Sequence, residues 1–520
     1  MVLLLMPASS PEDNSFTLTR QLHSPEALEE LAAELSLVAI SGTAILLSGE
    51  LGSGKSTFAR AFIQALSLHG REFDIPSPTF TLVQTYDELR IPAVHADLYR
   101  IDSKAEIDEL GLDDLIQNHV LLIEWPDRLG PVSWQNFLTI DISGKGQTRN
   151  LRMSGQGTWA AALQRNAAIR TFIETTDWAG ASRAFFEGDA SFRRYETLQR
   201  GKARVILMDM PARPDGPPVK DGKPYSAVAH LAEDIRAVIA VNRQLCEMGY
   251  SAPHTYAFDL SGGLAIIEDL GRDVFGKKIQ QGEDMREPMK AAVEVLAHMA
   301  KHNWPGAVPV GDGLVHHVPE YDENAQLIEV DLLPTWFWPH THGNHVPEMV
   351  RLNFARLWSD ALSLTRPRKP VWTLRDYHSP NLLWLPGRIG MRRVGIVDTQ
   401  DCVRGHPAYD LASMLQDARV DIAFDWADEL FEFYCQLRSA EAGFDRREFA
   451  AAYAILGAQR ATKILGIFAR LSKRDSKHGY LKHIPRVSRY LERNLRHPAL
   501  HRMRHWFDTQ IPGALKAGQS

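Results

Sequence analysis

The sequence predicts an α/β phosphate-loop domain followed by a larger α+β domain of protein-kinase type, and three stretches predict it. GELGSGKST, Gly49 to Thr57, has the G-x-x-x-x-G-K-[ST] spacing of a loop that cradles nucleotide phosphates, with a strand-length apolar run before it (Ala44 to Ser48) and helical spacing after it (Phe58, Phe62, Ile63, Leu66). VWTLRDYHSPNLLWL, Val371 to Leu385, brackets Asp376 and Asn381 between two apolar runs at the D-x-x-x-x-N spacing of a kinase catalytic loop. VGIVD, Val394 to Asp398, is a second short strand that ends in an acid, where such loops find a metal ligand. A chain of 520 residues is also too long for one ordinary domain.

Each stretch has a mechanical reason. In the phosphate loop, backbone N–H groups must turn inward, and a Cβ at Gly49, Gly52 or Gly54 would obstruct them. Lys55 reaches the terminal phosphates, and the Ser56 hydroxyl, followed by Thr57, is a Mg²⁺ ligand. Ser24-Pro25 opens a helix with a hydroxyl cap, and Leu28, Leu31, Ala32 and Leu35 form its apolar face. Ser103-x-x-Glu106 is a capping box. Val120 to Ile123 is an apolar strand ending in Glu124-Trp125; such a carboxylate is either a solvated strand end or the group that holds Mg²⁺ in a phosphate-loop enzyme, and the loop upstream favours the second.

Composition sets outer bounds. With 44% hydrophobic and 23% charged residues and a net charge of -6, the chain has the balance of a soluble globular protein with no bulk attraction to nucleic acid. Cys246, Cys402 and Cys435 are far apart and form no C-x-x-C pair, which predicts neither a disulfide framework nor a zinc knuckle and suits a reducing cytoplasm. MVLLLMP is too short for a signal segment and no later run reaches membrane length, so a cytoplasmic protein without membrane attachment is expected.

In order and spacing, GELGSGKST, SPTFTLVQTY, HADLYRI, EIDELGLDDL and LLIEWPDRLG resemble the TsaE family. The resemblance covers residues 14–155 and implies a P-loop ATPase that assists synthesis of threonylcarbamoyladenosine at position 37 of tRNA. It implies that Lys55 and Ser56 hold ATP and Mg²⁺, that Glu124 completes the metal site, and that Asp97 is an acid needed for hydrolysis. Thr79 and Thr81 then lie in a nucleotide-responsive loop, with Trp125 beside the nucleotide. TsaB- and TsaD-like subunits are the implied partners, with tRNA engaged only indirectly.

SGKGQTRNLRMSGQG, Ser143 to Gly157, is rich in Gly, Ser and cations and reads as a domain edge, with a linker at 156–166 and a second domain at 167–510. In that domain Asp376 is the expected base, and Asn381 and Asp398 the expected metal ligands. GLAIIEDLG (Gly263 to Gly271) and GHPAYDLA (Gly405 to Ala412), together with the loop, resemble the aminoglycoside phosphotransferase superfamily. By that resemblance the Ile267 to Leu270 segment, with Glu268 and Leu270, receives adenine, and Asp410 braces the catalytic loop. EGDASFRRYETL sits where a phosphate-covering loop belongs.

Two departures from that superfamily stand out. Leu374 occupies the place of a usual His, and ARVILMDMP (Ala203 to Pro211) lacks the phosphate-pairing Lys, which leaves Arg193 or Arg194 as the substitute cation. DASFRRY with VILMDMP, IEDLG and RDYHSPNLLWL narrow the resemblance to the AmgK group of anomeric sugar kinases. It implies an amino-sugar substrate, N-acetylmuramate or N-acetylglucosamine, phosphorylated at the anomeric hydroxyl in peptidoglycan recycling.

Charge bears on the acceptor. From Arg460 to Arg504 the chain carries thirteen Lys and Arg against Asp475, Glu492 and no other acid, which is a solvated basic face, a surface that tolerates an anionic sugar and repels an aminoglycoside, or a tRNA-contacting patch. His340, His342 and His345 lie among Pro339, Gly343 and Pro347, an irregular loop with no fixed geometry for a metal; Trp336, Phe337 and Trp338 beside them are core or a sugar-stacking face. The competing readings are a phosphotransferase of choline, homoserine or an aminoglycoside, and a nucleotide-regulated adaptor with an inactive kinase lobe.

Overall fold

A computed structural model of the chain describes residues 15–68, 71–78, 80–186, 193–212, 216–311 and 313–512. It falls into two compact units, Met1–Asp209 and Met210–Ser520.

The first unit alternates strands and helices: β1 (Ser15–Leu22), α1 (Pro25–Val38), β2 (Thr43–Ser48), α2 (Lys55–Ala65), β3 (Val83–Tyr86), β4 (Ala93–Asp97), α3 (Lys104–Glu109), α4 (Leu112–Leu115), β5 (Val120–Glu124), β6 (Phe137–Ser143) and β7 (Arg149–Gln156). The sheet order is β1-β7-β6-β2-β5-β4-β3. β6, β2, β5 and β4 run parallel, and the outer strands close the sheet antiparallel. β4 and β5 are buried throughout, which is why their sequences are continuous apolar runs rather than alternating ones. Both expected caps form: Ser24 Oγ accepts the Ala27 N–H at 3.2 Å, and Ser103 Oγ donates to Glu106 Oε1 at 2.7 Å.

The expected domain edge is different in kind. Gly144 and Gly146, at φ 112° and 66°, turn a hairpin between β6 and β7, and β7 then pairs with both β6 and β1. The Gly and Ser residues serve that turn, while Leu151 and Met153 alternate into the core at 2% and 0% exposure, a two-residue period concealed by the flanking cations. The expected linker at 156–166 is instead the start of a helix, α5 (Thr158–Glu174), whose Trp159, Leu163 and Ile173 are buried. The compact unit continues past it through an antiparallel meander, β8 (Ser182–Phe185), β9 (Arg194–Arg200) and β10 (Ala203–Asp209), with β8 packed beside α1.

A buried ion cluster ties these elements together. Glu34 on α1 is 3% exposed and faces Arg20 of β1 at 3.6 Å, Arg183 of β8 at 3.8 Å, and Arg170 of α5 in direct contact. Arg183 in turn donates to Glu196 of β9 at 2.7 and 2.9 Å and to Asn166 of α5 at 2.7 Å. Burial and mutual repulsion hold Arg20 and Arg170 below the usual arginine range.

The second unit has a strand hairpin, Thr255–Asp259 with Leu264–Glu268, and is otherwise mostly helical around the long helix Arg446–Asp475. Two short strand pairs, Val371–Thr373 with Val403–Gly405 and Leu382–Trp384 with Val394–Ile396, flank the loop around Asp376. Among the described residues, no helix is long and apolar enough to cross a membrane.

Candidate functional site

The first constellation lies at the C-terminal ends of β2, β4 and β5, where a parallel sheet exposes its loops. Gly49, Gly52 and Gly54 all take positive φ, at 142°, 78° and 112°. At Gly49 a Cβ would also fall 2.3 Å from the Ile142 carbonyl oxygen, so both conformation and space demand glycine there. α2 begins at Lys55, and Ser56 and Thr57 follow in its first turn.

Lys55 is 4% exposed, donates from Nζ to the carbonyls of Gly49 and Glu50 at 2.8 and 3.0 Å, and lies 3.9 Å from the centre of the Trp125 ring. Burial lowers its pKa, and the nearby Glu124 and Asp97 carboxylates act the other way. Ser56 Oγ donates to Glu124 Oε2 at 2.9 Å, and Asp97 sits beside Glu124 in the β4–β5 register. A hydroxyl and two carboxylates are hard oxygen donors, the set that suits a magnesium ion sharing its shell with phosphate and water. Among the described residues, no group of three or more His, Cys, Asp or Glu side chains is placed to hold a metal.

One member of this site was missed in the sequence. His95 is fully buried, and its Nε2 meets Glu124 Oε1 at 2.9 Å, fixing the carboxylate from the side opposite Ser56. The signal was present: His95 and Asp97 are two apart on β4 and so share a face. Thr79 lies outside the described residues.

The second constellation is the loop from Arg375 to Asn381. Arg375 takes φ 67° and Asp398 φ 63°, unfavourable for residues with side chains, and Asp398 Oδ1 accepts from Gln400 at 3.1 Å. Asp410, 2% exposed, accepts the N–H groups of Leu374 at 2.6 Å and Arg375 at 2.9 Å, one on each carboxylate oxygen. Arg375 reaches into the interior, donating to the Ala229 carbonyl at 2.9 Å and to Glu329. Glu329, fully buried, also accepts from Lys463 at 2.7 Å, Gln459 at 3.0 Å and Tyr321 at 2.5 Å. Nothing local in the sequence marks Glu329, since its partners are 8 to 134 residues away.

Asp376 presents a side chain 36% exposed. Burial opposes its ionisation, yet His378 first, then Arg460, Lys463 and Arg375, hold its pKa at about 2, so it is a carboxylate at neutral pH. Asn381 Nδ2 donates to the Asp376 carbonyl at 3.1 Å and stands 3.4 Å from Asp398 Oδ2, which brings two oxygen-bearing side chains together beside the base. An amide oxygen and a carboxylate also suit a divalent cation of the hard class. His378 is steadied by Arg419 at 3.0 Å, and Asp417 accepts the Ser379 N–H at 2.8 Å.

Of the residues expected at the nucleotide, Glu268 ends the strand Leu264–Glu268 and is paired with Arg388 at 2.5 Å, while Leu270 is buried at 8% exposure. Arg193 is half-buried and Arg194 is exposed at the start of β9; residues 187–192 of the expected phosphate-covering loop lie outside the described set.

Two other expectations need correction. The basic stretch from Arg460 to Arg504 is not an open positive surface, because acids distant in sequence answer it: Arg486 and Arg489 pair with Asp421, Arg493 with Asp428, and Arg502 with Asp360. The segment expected to be an irregular histidine loop contains a short helix, Trp338–His342, with His342 stacked on Trp338 at 4.1 Å and 3.1 Å from the Gln510 carbonyl. Phe337 and Trp338 are buried at 2% and 5%.

Comparison with known proteins places one family match on either side of α5. A family model described as Threonylcarbamoyl adenosine biosynthesis protein TsaE matches residues 22–151, and one described as Phosphotransferase enzyme family matches residues 182–450. An N-acetylmuramate/N-acetylglucosamine kinase of Caulobacter vibrioides is 34% identical over 358 residues, which is 67% of this chain and 97% of the relative. A tRNA threonylcarbamoyladenosine biosynthesis protein TsaE of Rickettsia conorii is 39% identical over 130 residues, 25% of this chain and 73% of the relative. The crystal structure of choline kinase LicA from Streptococcus pneumoniae aligns with 63% of this chain and 99% of its own at 14% identity, with a TM-score of 0.41.

Proposed function

The chain belongs to the phosphotransferase enzyme family and carries a TsaE domain ahead of it, and from that premise we propose that it runs two ATP-dependent chemistries. The second is transfer of a phosphoryl group to the anomeric hydroxyl of N-acetylmuramate and N-acetylglucosamine, as part of cell-wall recycling. The observation that carries it is Asp376, its side chain open beside Asn381 and Asp398 on a loop braced by Asp410, in a chain similar to such a kinase over 97% of that relative's length. Asp376 accepts the hydroxyl proton and orients the oxygen for attack. Asn381 and Asp398 would hold Mg²⁺, which when bound neutralises phosphate charge.

The first chemistry is ATP hydrolysis at Lys55, Ser56, Asp97 and Glu124 in support of threonylcarbamoyladenosine formation on tRNA, alongside TsaB- and TsaD-like subunits. Its support is the glycine-shaped loop together with the Ser56–Glu124–His95 relay. Both reactions belong in the cytoplasm.

The test is phosphate transfer from ATP to a panel of N-acetylmuramate, N-acetylglucosamine, choline, homoserine and an aminoglycoside. Product is expected from the two amino sugars, as an anomeric phosphate released by mild acid. An acid-stable ester, or product from another acceptor alone, overturns the reading.

A further inference from the structure

Arg460 lies on the helix Arg446–Asp475 and is 6% exposed. Its Nε is buried with no hydrogen-bond partner, and no carboxylate among the described residues is within ion-pairing distance of its guanidinium. A buried guanidinium without an anion is costly. Its neighbours on the helix are answered differently: Lys463 donates to Glu329 at 2.7 Å, and Arg470 lies 5.6 Å from the centre of the Tyr225 ring.

The position of Arg460 is functional ground. Lys463, three residues on and on the same helix face, reaches Glu329, which holds Arg375, the residue before Asp376. The field of Arg460 is felt at Asp376, His378 and Asp410, which all belong to the catalytic loop or its brace. The metal-side residues Asn381 and Asp398, by contrast, come from the ends of the strand pair Leu382–Trp384 and Val394–Ile396.

The two acceptors proposed above differ in one group: N-acetylmuramate carries a lactyl ether that ends in a carboxylate, and N-acetylglucosamine has a hydroxyl there. We propose that Arg460 receives that carboxylate and so sets the preference for the acidic over the neutral amino sugar. This rests on the acceptor reading above. It asks for a buried cation with a free edge near the base, which Arg460 supplies.

The experiment compares kcat/KM for N-acetylmuramate and N-acetylglucosamine in the full-length enzyme and in Arg460→Gln and Arg460→Lys. The ratio of acidic to neutral acceptor should fall roughly 10- to 100-fold in Arg460→Gln, the scale of a lost charge-assisted hydrogen bond, and less in Arg460→Lys. A purely structural role would lower both acceptors together and leave the ratio unchanged, which overturns the assignment. The wild-type enzyme supplies a check free of folding effects: N-acetylmuramate with its carboxyl converted to the amide should lose the advantage of the acid. Equal rates for acid and amide also overturn the proposal. A wild type inactive on both sugars defeats the acceptor reading itself, an outcome distinct from an active enzyme with an unchanged ratio.

Discussion

Replacing Glu329 by Gln removes one negative charge from a fully buried position that two cations share. Lys463 donates to it at 2.7 Å, Arg375 touches it, and Tyr321 and Gln459 complete its shell. Burial alone would raise its pKa, yet Lys463 and Arg375 outweigh burial and bring it from 4.5 to about 2. A carboxylate depressed in the folded state contributes stability above its unfolded value, and that contribution is lost as pH falls from about 4.5 towards about 2. The drop is equivalent to about 3 kcal/mol, and leaving two buried cations uncompensated costs about 3–5 kcal/mol, so the two routes agree. For a unit of this size that is a fall of roughly 5–8 °C in the thermal midpoint. Differential scanning calorimetry at neutral pH measures it, and the gap between wild type and Glu329→Gln should narrow at acid pH. Because Arg375 positions Asp376, kcat should fall more than the acceptor KM rises. An unchanged midpoint, or a gap that does not narrow in acid, would refute the account of this network.

Three further outcomes follow from the two sites. Asp376→Asn should lower sugar phosphorylation about a hundredfold or more while the fold persists by circular dichroism, since the proton acceptor is lost and the loop is kept. Lys55→Ala should abolish ATP hydrolysis by the first domain, measured as phosphate release without sugar, because the terminal phosphate charge is left uncompensated; sugar phosphorylation should survive. Burial pushes the Asp410 carboxyl up to about 7 against the pull of its two N–H donors. A carboxyl raised in the folded state subtracts stability as pH climbs from about 4 to about 7, so the wild-type midpoint should decline over that range relative to Asp410→Asn, and parallel melting curves would contradict this.

Much of the fold was readable because its signals are local. The phosphate loop, the strand-end acid Glu124, and the Asp376-to-Asn381 spacing each lie within a short window where spacing and chemistry coincide, while Asp97 came from the family resemblance alone. What escaped was charge pairing over distance. Arg486 seemed solvated because Asp421 stands 65 residues before it, and Glu329 seemed ordinary because Lys463 comes 134 residues later. The Gly- and Ser-rich stretch deceived for a related reason: glycines that turn the β6–β7 hairpin resemble those of a linker when the strand partners, β1 and β6, are not yet known. His95 was within reach, since alternation along β4 aims it the same way as Asp97.

The cluster around Glu34 bears on how such a chain can arise and be taken apart. One family match ends at residue 151 and the other begins at 182, yet Glu34 before that gap and Arg170 and Arg183 beyond its start share one desolvated set of charges. Severing the polypeptide between 156 and 169 would part Glu34 from Arg170 and Arg183, leaving it Arg20 alone, and expose desolvated charges on both fragments. Once those residues had been acquired, the joined gene could no longer be divided at its seam without mending both edges. Fragments meant for separate expression therefore need the charges at the cut rebalanced, with Arg20 kept on Glu34 and Arg183 kept on Glu196, and ancestry reconstructed from either half alone would overlook a constraint that only the union imposes.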